Sequence, residues 1–179
     1  WSDATDFDGS DLSGGSERQA DVYIQSGAHV QYVNGGGLSV LGVATASTTV
    51  QNQGSGAYAF TVGNSGSTTM NYYDLQDMDS DGLTFSGSPA VADLSYGSIL
   101  VANNTDSAIT VGGTAITANP ARTFTNTIFA TSSGVTSAVN VTATGTSVSS
   151  WRFTNHAGDI DGEAFDVDPD GDPGYVVWD

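Results

Sequence analysis

From Asp21 onward the chain sets short apolar runs between small polar residues. Val22-Tyr23-Ile24-Gln25, His29-Val30-Gln31-Tyr32-Val33, Leu38-Ser39-Val40-Leu41 and Thr48-Thr49-Val50-Gln51 come first. Tyr58-Ala59-Phe60-Thr61-Val62, Thr69-Met70-Asn71-Tyr72-Tyr73, Leu83-Thr84-Phe85, Ala92-Asp93-Leu94, Ile99-Leu100-Val101 and Ile109-Thr110-Val111 follow, then residues 122–129, 138–142 and 151–154. These runs are β-branched or aromatic, alternate with period two, and are divided by Gly, Asn and Ser, the signature of strands and turns. No 11-residue window carries a 3.6-residue period, so essentially no helix is expected.

Many short strands fit a sandwich, an antiparallel barrel or a parallel β-helix, and internal repetition discriminates among them. Ser47-Thr48-Thr49-Val50 returns as Ser67-Thr68-Thr69-Met70, 20 residues on, and Phe60-Thr61-Val62-Gly63, Thr84-Phe85-Ser86-Gly87 and Ile109-Thr110-Val111-Gly112 recur at about 25. Two or three strands in 20 to 25 residues make one coil of a parallel β-helix. Coils stack about 4.8 Å apart, so equivalent side chains form inward ladders. Asn and Gly suit the corners because they tolerate left-handed backbone angles. A β-sandwich is the alternative, although Asn34-Gly35 is the one hairpin-type dipeptide between matched strands.

Composition narrows the function. A chain of 179 residues fits one domain with a sizeable core. Hydrophobic content of 38%, with seven Tyr, seven Phe and three Trp, argues against the disorder that an acidic, Gly-rich chain would otherwise suggest. Lysine is absent, and three arginines face 20 acidic residues for a net charge of -17. Such a surface repels nucleic acid and anionic membranes and attracts cations. Without cysteine there is no thiol chemistry, disulfide or Cys-based zinc site. No apolar run approaches the roughly 18 residues that span a bilayer, so no membrane insertion is expected. Lacking an initiator Met and a signal-type segment, the sequence reads as a mature or excised piece. Three regions are expected: an acidic N-terminal cap or linker over residues 1–20, β-helix coils over 21–156, and an acidic C-terminal cap over 157–179.

The stretches Arg122-Thr123-Phe124-Thr125-Asn126-Thr127, Asn140-Val141-Thr142, Trp151-Arg152-Phe153-Thr154-Asn155-His156, Asp161-Gly162-Glu163 and Asp168-Pro169-Asp170-Gly171-Asp172-Pro173-Gly174-Tyr175 resemble the late coils and endings of right-handed parallel β-helix (pectin-lyase-like) modules of large exported microbial surface proteins. The resemblance implies that fold and an extracellular or cell-surface location. It carries no settled activity.

Two stretches open like a calcium loop, Asp77-Met78-Asp79-Ser80-Asp81-Gly82 and Asp166-Val167-Asp168-Pro169-Asp170-Gly171. Alternate carboxylates on a curled loop converge on a hard cation, and Gly makes the sharp turn. Ser88 and Val177 stand where an EF-hand has its bidentate Glu. Calcium is therefore expected at Asp77, Asp79 and Asp81 and at Asp166, Asp168, Asp170 and Asp172, with Asp159, Asp161 and Glu163 as further donors. The competing reading is a solvated acidic turn.

Catalysis is not expected. Pairs such as Asp159/Asp161 could serve acid–base chemistry, but 20 acidic residues make pairs by chance and a lyase would want the missing lysine. His29 reads as a surface strand residue, His156 as a turn or cap residue, and no G-x-S-x-G elbow frames a nucleophile. Thr-x-Thr at 123–127 and 142–146 reads as strand-stabilising, since the spacing does not repeat coil after coil. Asn103 and Asn140 begin glycosylation sequons. The expected function is a non-enzymatic structural or adhesive module that self-associates head to tail or joins neighbouring domains, with Trp1, Tyr175 and Trp178 at the contact. The alternative is a polysaccharide-binding or polysaccharide-degrading β-helix (a lyase or glycoside hydrolase) with a groove of Tyr32, Tyr58, Tyr72, Tyr73 and Trp151 for glycans.

Overall fold

The computed structural model describes residues 20–170 and 174–179. They form a parallel β-solenoid of about six turns. The first turn is β1 (Asp21–Gln25), β2 (His29–Tyr32) and β3 (Gly37–Leu41). The second is β4 (Thr48–Gln53), β5 (Tyr58–Gly63) and β6 (Ser67–Asn71), and the third β7 (Tyr73–Leu75), β8 (Met78–Ser86) and β9 (Ala90–Ser95). The fourth holds β10 (Ser98–Val101), β11 (Ser107–Gly112), a helix α1 (Gly113–Ala118) and β12 (Arg122–Thr125). The fifth is β13 (Ile128–Thr131), β14 (Val139–Thr144) and β15 (Trp151–Thr154). The sixth touches the fifth through single-residue bridges at Ala157 and Val167 and through β16 (Val176–Trp178).

Every pairing between named strands is parallel, in sheets ordered β1-β4-β7-β10-β13, β2-β5-β8-β11-β14, β3-β6-β9 and β12-β15-β16. The last two sheets meet where Tyr96 N donates to Thr125 O (2.8 Å) and Thr125 N to Ser95 Oγ (3.1 Å). The parallel solenoid expected from the sequence is thus present, and the sandwich is not.

The turn length differs from the expected 20 to 25. Phe60 pairs with Leu83, 23 residues on, whereas Ile109 pairs with Val141, 32 residues on. The Ser47 and Ser67 repeats lead into β4 and β6, two faces of one turn, so their 20-residue spacing is no turn at all. The Phe60, Thr84 and Ile109 repeats do share a sheet, with the Thr84 segment one residue out of step. Two predicted strands are broken at a corner, residues 69–73 at Tyr72 (φ 52) and residues 122–129 at Asn126 (φ 56).

Inward positions stack as ladders. Val30, Phe60, Leu83, Ile109 and Val141 form one, and Val22, Val50, Leu75, Ile99 and Phe129 another. Full burial of such a side chain stabilises by about 1.5–3 kcal/mol. Towards the C-terminus the filling turns aromatic. Trp151 meets Phe85 and Phe124 edge-on at 5.5 and 5.3 Å, and Phe153 lies between Phe124 and Phe129, each 5.4 Å away. Gly97 lies against the Tyr73 ring, where a Cβ would come within 2.1 Å of ring carbon.

One corner runs as a column with left-handed backbone: Tyr72 (φ 52), Tyr96 (φ 56), Asn126 (φ 56) and Asn155 (φ 51). Asn is at home there, but a bulky L-residue pays about 1–2 kcal/mol. The Tyr72 and Tyr96 rings stack at 5.1 Å and 27°, which returns about 0.5–1.5 kcal/mol for the pair. The corners expected for Asn and Gly thus include two stacked tyrosines.

Helix α1 departs from the expectation of essentially no helix. It spans only six residues, too few for a period to register. Asn119 holds it: its Nδ2 donates to Ala115 O and to Pro89 O (both 2.8 Å), and its Oδ1 accepts from Val91 N (2.8 Å).

Candidate functional site

The side chains of most chemical interest gather at the sixth turn, where they hold the chain's end. Asp168 Oδ1 accepts from Asp170 N (3.0 Å), and its Oδ2 accepts from Val176 N (2.8 Å) and from Tyr175 N. Asp166 Oδ2 accepts from Trp178 Nε1 (2.9 Å). The Trp178 ring stacks on Phe153 (4.8 Å, 19°) and takes His156 edge-on (5.0 Å, 84°). His156 Nδ1 lies 3.3 Å from Asp161 Oδ2, Arg152 pairs with Asp179, and Asp179 N donates to Phe153 O (3.0 Å). Asp159 Oδ2 accepts from Thr131 Oγ1 (3.3 Å). These carboxylates fasten β16, the Trp178 indole and the edge of the fifth turn.

The first acidic stretch is an excursion within a strand. Met78 pairs with Tyr58 and Leu83 with Phe60, so residues 79–82 bulge out opposite Ala59. Asp79 Oδ1 accepts from Asp81 N (3.2 Å), and Gly82 (φ 62) closes the bulge where a Cβ would lie 2.2 Å from Ser107 O. Partial burial, ahead of neighbouring charges, pushes the Asp79 carboxyl above its ordinary value.

Among the described residues, no three His, Asp or Glu side chains converge closely enough to hold a metal ion. Asp166 and Asp168 direct oxygens at N–H donors of the closing turn, and Asp79 directs one at its own bulge. Asp172 lies outside the described residues, as do Trp1 and the cap expected over residues 1–19.

The expected aromatic groove does not form. Trp151, Tyr58 and Tyr73 are fully buried, because their alternation phase turns them inward. The phenols of Tyr58 and Tyr73 donate to Val50 O (3.2 Å) and Leu94 O (2.9 Å), and burial pushes both well above the ordinary tyrosine value. Tyr32 packs on the core beside Phe60. Tyr72 is half-buried, as Tyr32 is, and its ring lies against exposed Tyr96, which sequence reasoning passed over. Nothing in a Ser-Tyr-Gly tripeptide signals an exposed ring until its register with Tyr72 is known.

His29 is exposed on β2, with Nε2 2.9 Å from Thr61 Oγ1. The Thr-x-Thr spacing does not repeat turn after turn, but a single threonine column does: Thr61, Thr84, Thr110 and Thr142 are in register across four turns. The next outward column holds Gly63, Ser86, Gly112 and Thr144, so no second threonine rank exists, and Thr142 bonds Ser107 (2.7 Å). Of the two sequon asparagines, Asn103 is exposed, but Asn140 is buried with its amide donating to Gly162 O (2.8 Å).

No protein-family model matches the chain, and no curated protein or solved structure matches it.

Proposed function

We propose that the chain is a non-enzymatic structural and adhesive module of a microbial cell-surface protein or extracellular filament. The observation carrying this reading is the use made of the rare side chains: Asp166, Asp168, His156 and Trp178 fasten the last turn rather than surround a cleft. Asymmetry between the ends adds support. In the first turn β1, β2 and β3 each pair on one side among the described residues, with Val22, Tyr23 and Leu41 about half exposed. The last turn covers two faces with single-residue bridges, which blunts its edge.

Head-to-tail contact would set the first-turn edge against the closing turn that carries Tyr175 and Trp178, and a contact that does not close on itself propagates a fibre. Both ends are acidic, so calcium would assist by offsetting carboxylate repulsion. Sedimentation velocity across the micromolar range, with and without calcium, tests this alongside electron microscopy of the same samples. Concentration-dependent assembly into filaments is the expected result; a calcium-insensitive monomer at every concentration overturns it.

A further inference from the structure

We propose that the Tyr72–Tyr96 corner, together with the Asn126–Asn155 pair that continues it, binds a pyranose ring of a neutral glycan. This goes beyond the structural role and does not depend on end-to-end assembly. The four residues occupy one corner in successive turns, about 4.8 Å apart, with matching left-handed backbone. Two long planar rings therefore give way to two short amides in a single column. Tyr96 is 42% exposed, next to the step down to Asn126.

An aromatic face beside a donor and acceptor set is the chemistry that recognises a sugar: axial C–H groups lie on the ring and hydroxyls reach the amides. Asn155 Nδ2 donates to Asn126 Oδ1, which leaves the Asn126 amino group and the Asn155 carbonyl oxygen to face a ligand. On the neighbouring face Asn71 Nδ2 donates to Asp93 Oδ2 (2.8 Å) and Ser95 Oγ to Asp93 Oδ1 (2.6 Å), a polar margin immediately before each tyrosine.

A second, independent observation is the backbone. The next two turns use Asn at this corner, a side chain that tolerates left-handed backbone, whereas each tyrosine there bears a backbone cost that its ring must offset by what it contacts. The half-buried Tyr72 ring does so against Tyr96, and the 42% exposed Tyr96 ring keeps surface open to a ligand. The net charge of -17 selects against anionic polymers, and the Asn126 and Asn155 amides carry no charge to recruit a cationic one, which favours a neutral glycan.

The natural corner supplies a folding control. In the double variant Tyr72→Asn/Tyr96→Asn, both positions take the residue already accepted at 126 and 155. Isothermal titration with cellohexaose, xylohexaose, mannohexaose and chitohexaose, and with polygalacturonate as the anionic comparison, reads the site. At least one neutral hexaose should bind at millimolar concentration or better, polygalacturonate should not, and the double variant should weaken binding on the order of tenfold or more without lowering its melting temperature. Failure of all four hexaoses to bind, tighter binding of polygalacturonate, or undiminished affinity in the double variant overturns the proposal.

Discussion

Single residues carry more of this fold than their type suggests. Asn119 is 2% exposed and satisfies Val91 N, Pro89 O and Ala115 O while its own carbonyl accepts from Trp151 Nε1 (3.2 Å). Asn119→Leu removes the side-chain partners and leaves two buried groups, Val91 N and Pro89 O, unpaired, each costing about 1–3 kcal/mol, while Ala115 O keeps the Asn119 backbone N–H (3.2 Å). Chemical denaturation should show a loss of about 2 kcal/mol or more with an unchanged m-value. Asp79 behaves oppositely. Its folded carboxyl holds a proton more tightly than the unfolded one, so its contribution is favourable below the ordinary aspartate range and is lost as pH rises through the raised value. Asp79→Asn keeps the acceptor for Asp81 N, so thermal melts should show the variant above the parent at pH 7 and level with it near pH 3. The gain is modest, because Asp79 is only partly buried and solvent screens its carboxylate.

At the level of elements, the strands were readable because alternation and punctuation are local properties. Val22, Val30, Leu38 and Phe60 announce their phase within four or five residues. Which strand lies beside which was less readable, because turn length varies: residues 113–121 insert a helix and residues 132–138 a loop, so repeats drift out of fixed spacing. The acidic loops were harder to read for a related reason. Alternate aspartates can serve a cation or the backbone, and here Asp168 meets the N–H groups of Tyr175 and Val176, from a segment seven and eight residues away. That partner could not be seen before β16 was placed. Strand β16 should therefore depend on Asp168. Asp168→Ala removes charge-assisted acceptance, worth about 1.5–3 kcal/mol per bond, and hydrogen exchange at residues 176–178 should accelerate while the amides of β5, β8 and β11 stay protected. Uniform acceleration along the chain would refute a local role.

For the molecule as a whole, charge sets the terms. Twenty carboxylates and three arginines leave little internal neutralisation, and the described Arg–carboxylate pair joins Arg152 to Asp179. Self-repulsion of this kind weakens as the Debye length contracts from about 10 Å at 0.1 M salt to about 3 Å at 1 M. The melting temperature should climb with sodium chloride over that range. Calcium matched for ionic strength gives the sharper reading: a rise no larger than sodium produces means screening, and a larger rise means a bound ion.

Hydrogen bonding that links each turn only to the ones above and below makes the molecule a ladder that can be dismantled rung by rung. Pulled by its two ends, such a chain yields in sequence rather than at once. The first turn, with half-exposed Val22, Tyr23 and Leu41, gives way early; the rings of Phe124, Phe129, Trp151, Phe153 and Trp178 lock the far end until late. With 23 to 32 residues per turn, each release lengthens the tether by roughly 80–110 Å. A force–extension trace should be a staircase of such steps. Under shear at a surface, a module built this way sheds load one turn at a time and keeps its far end intact.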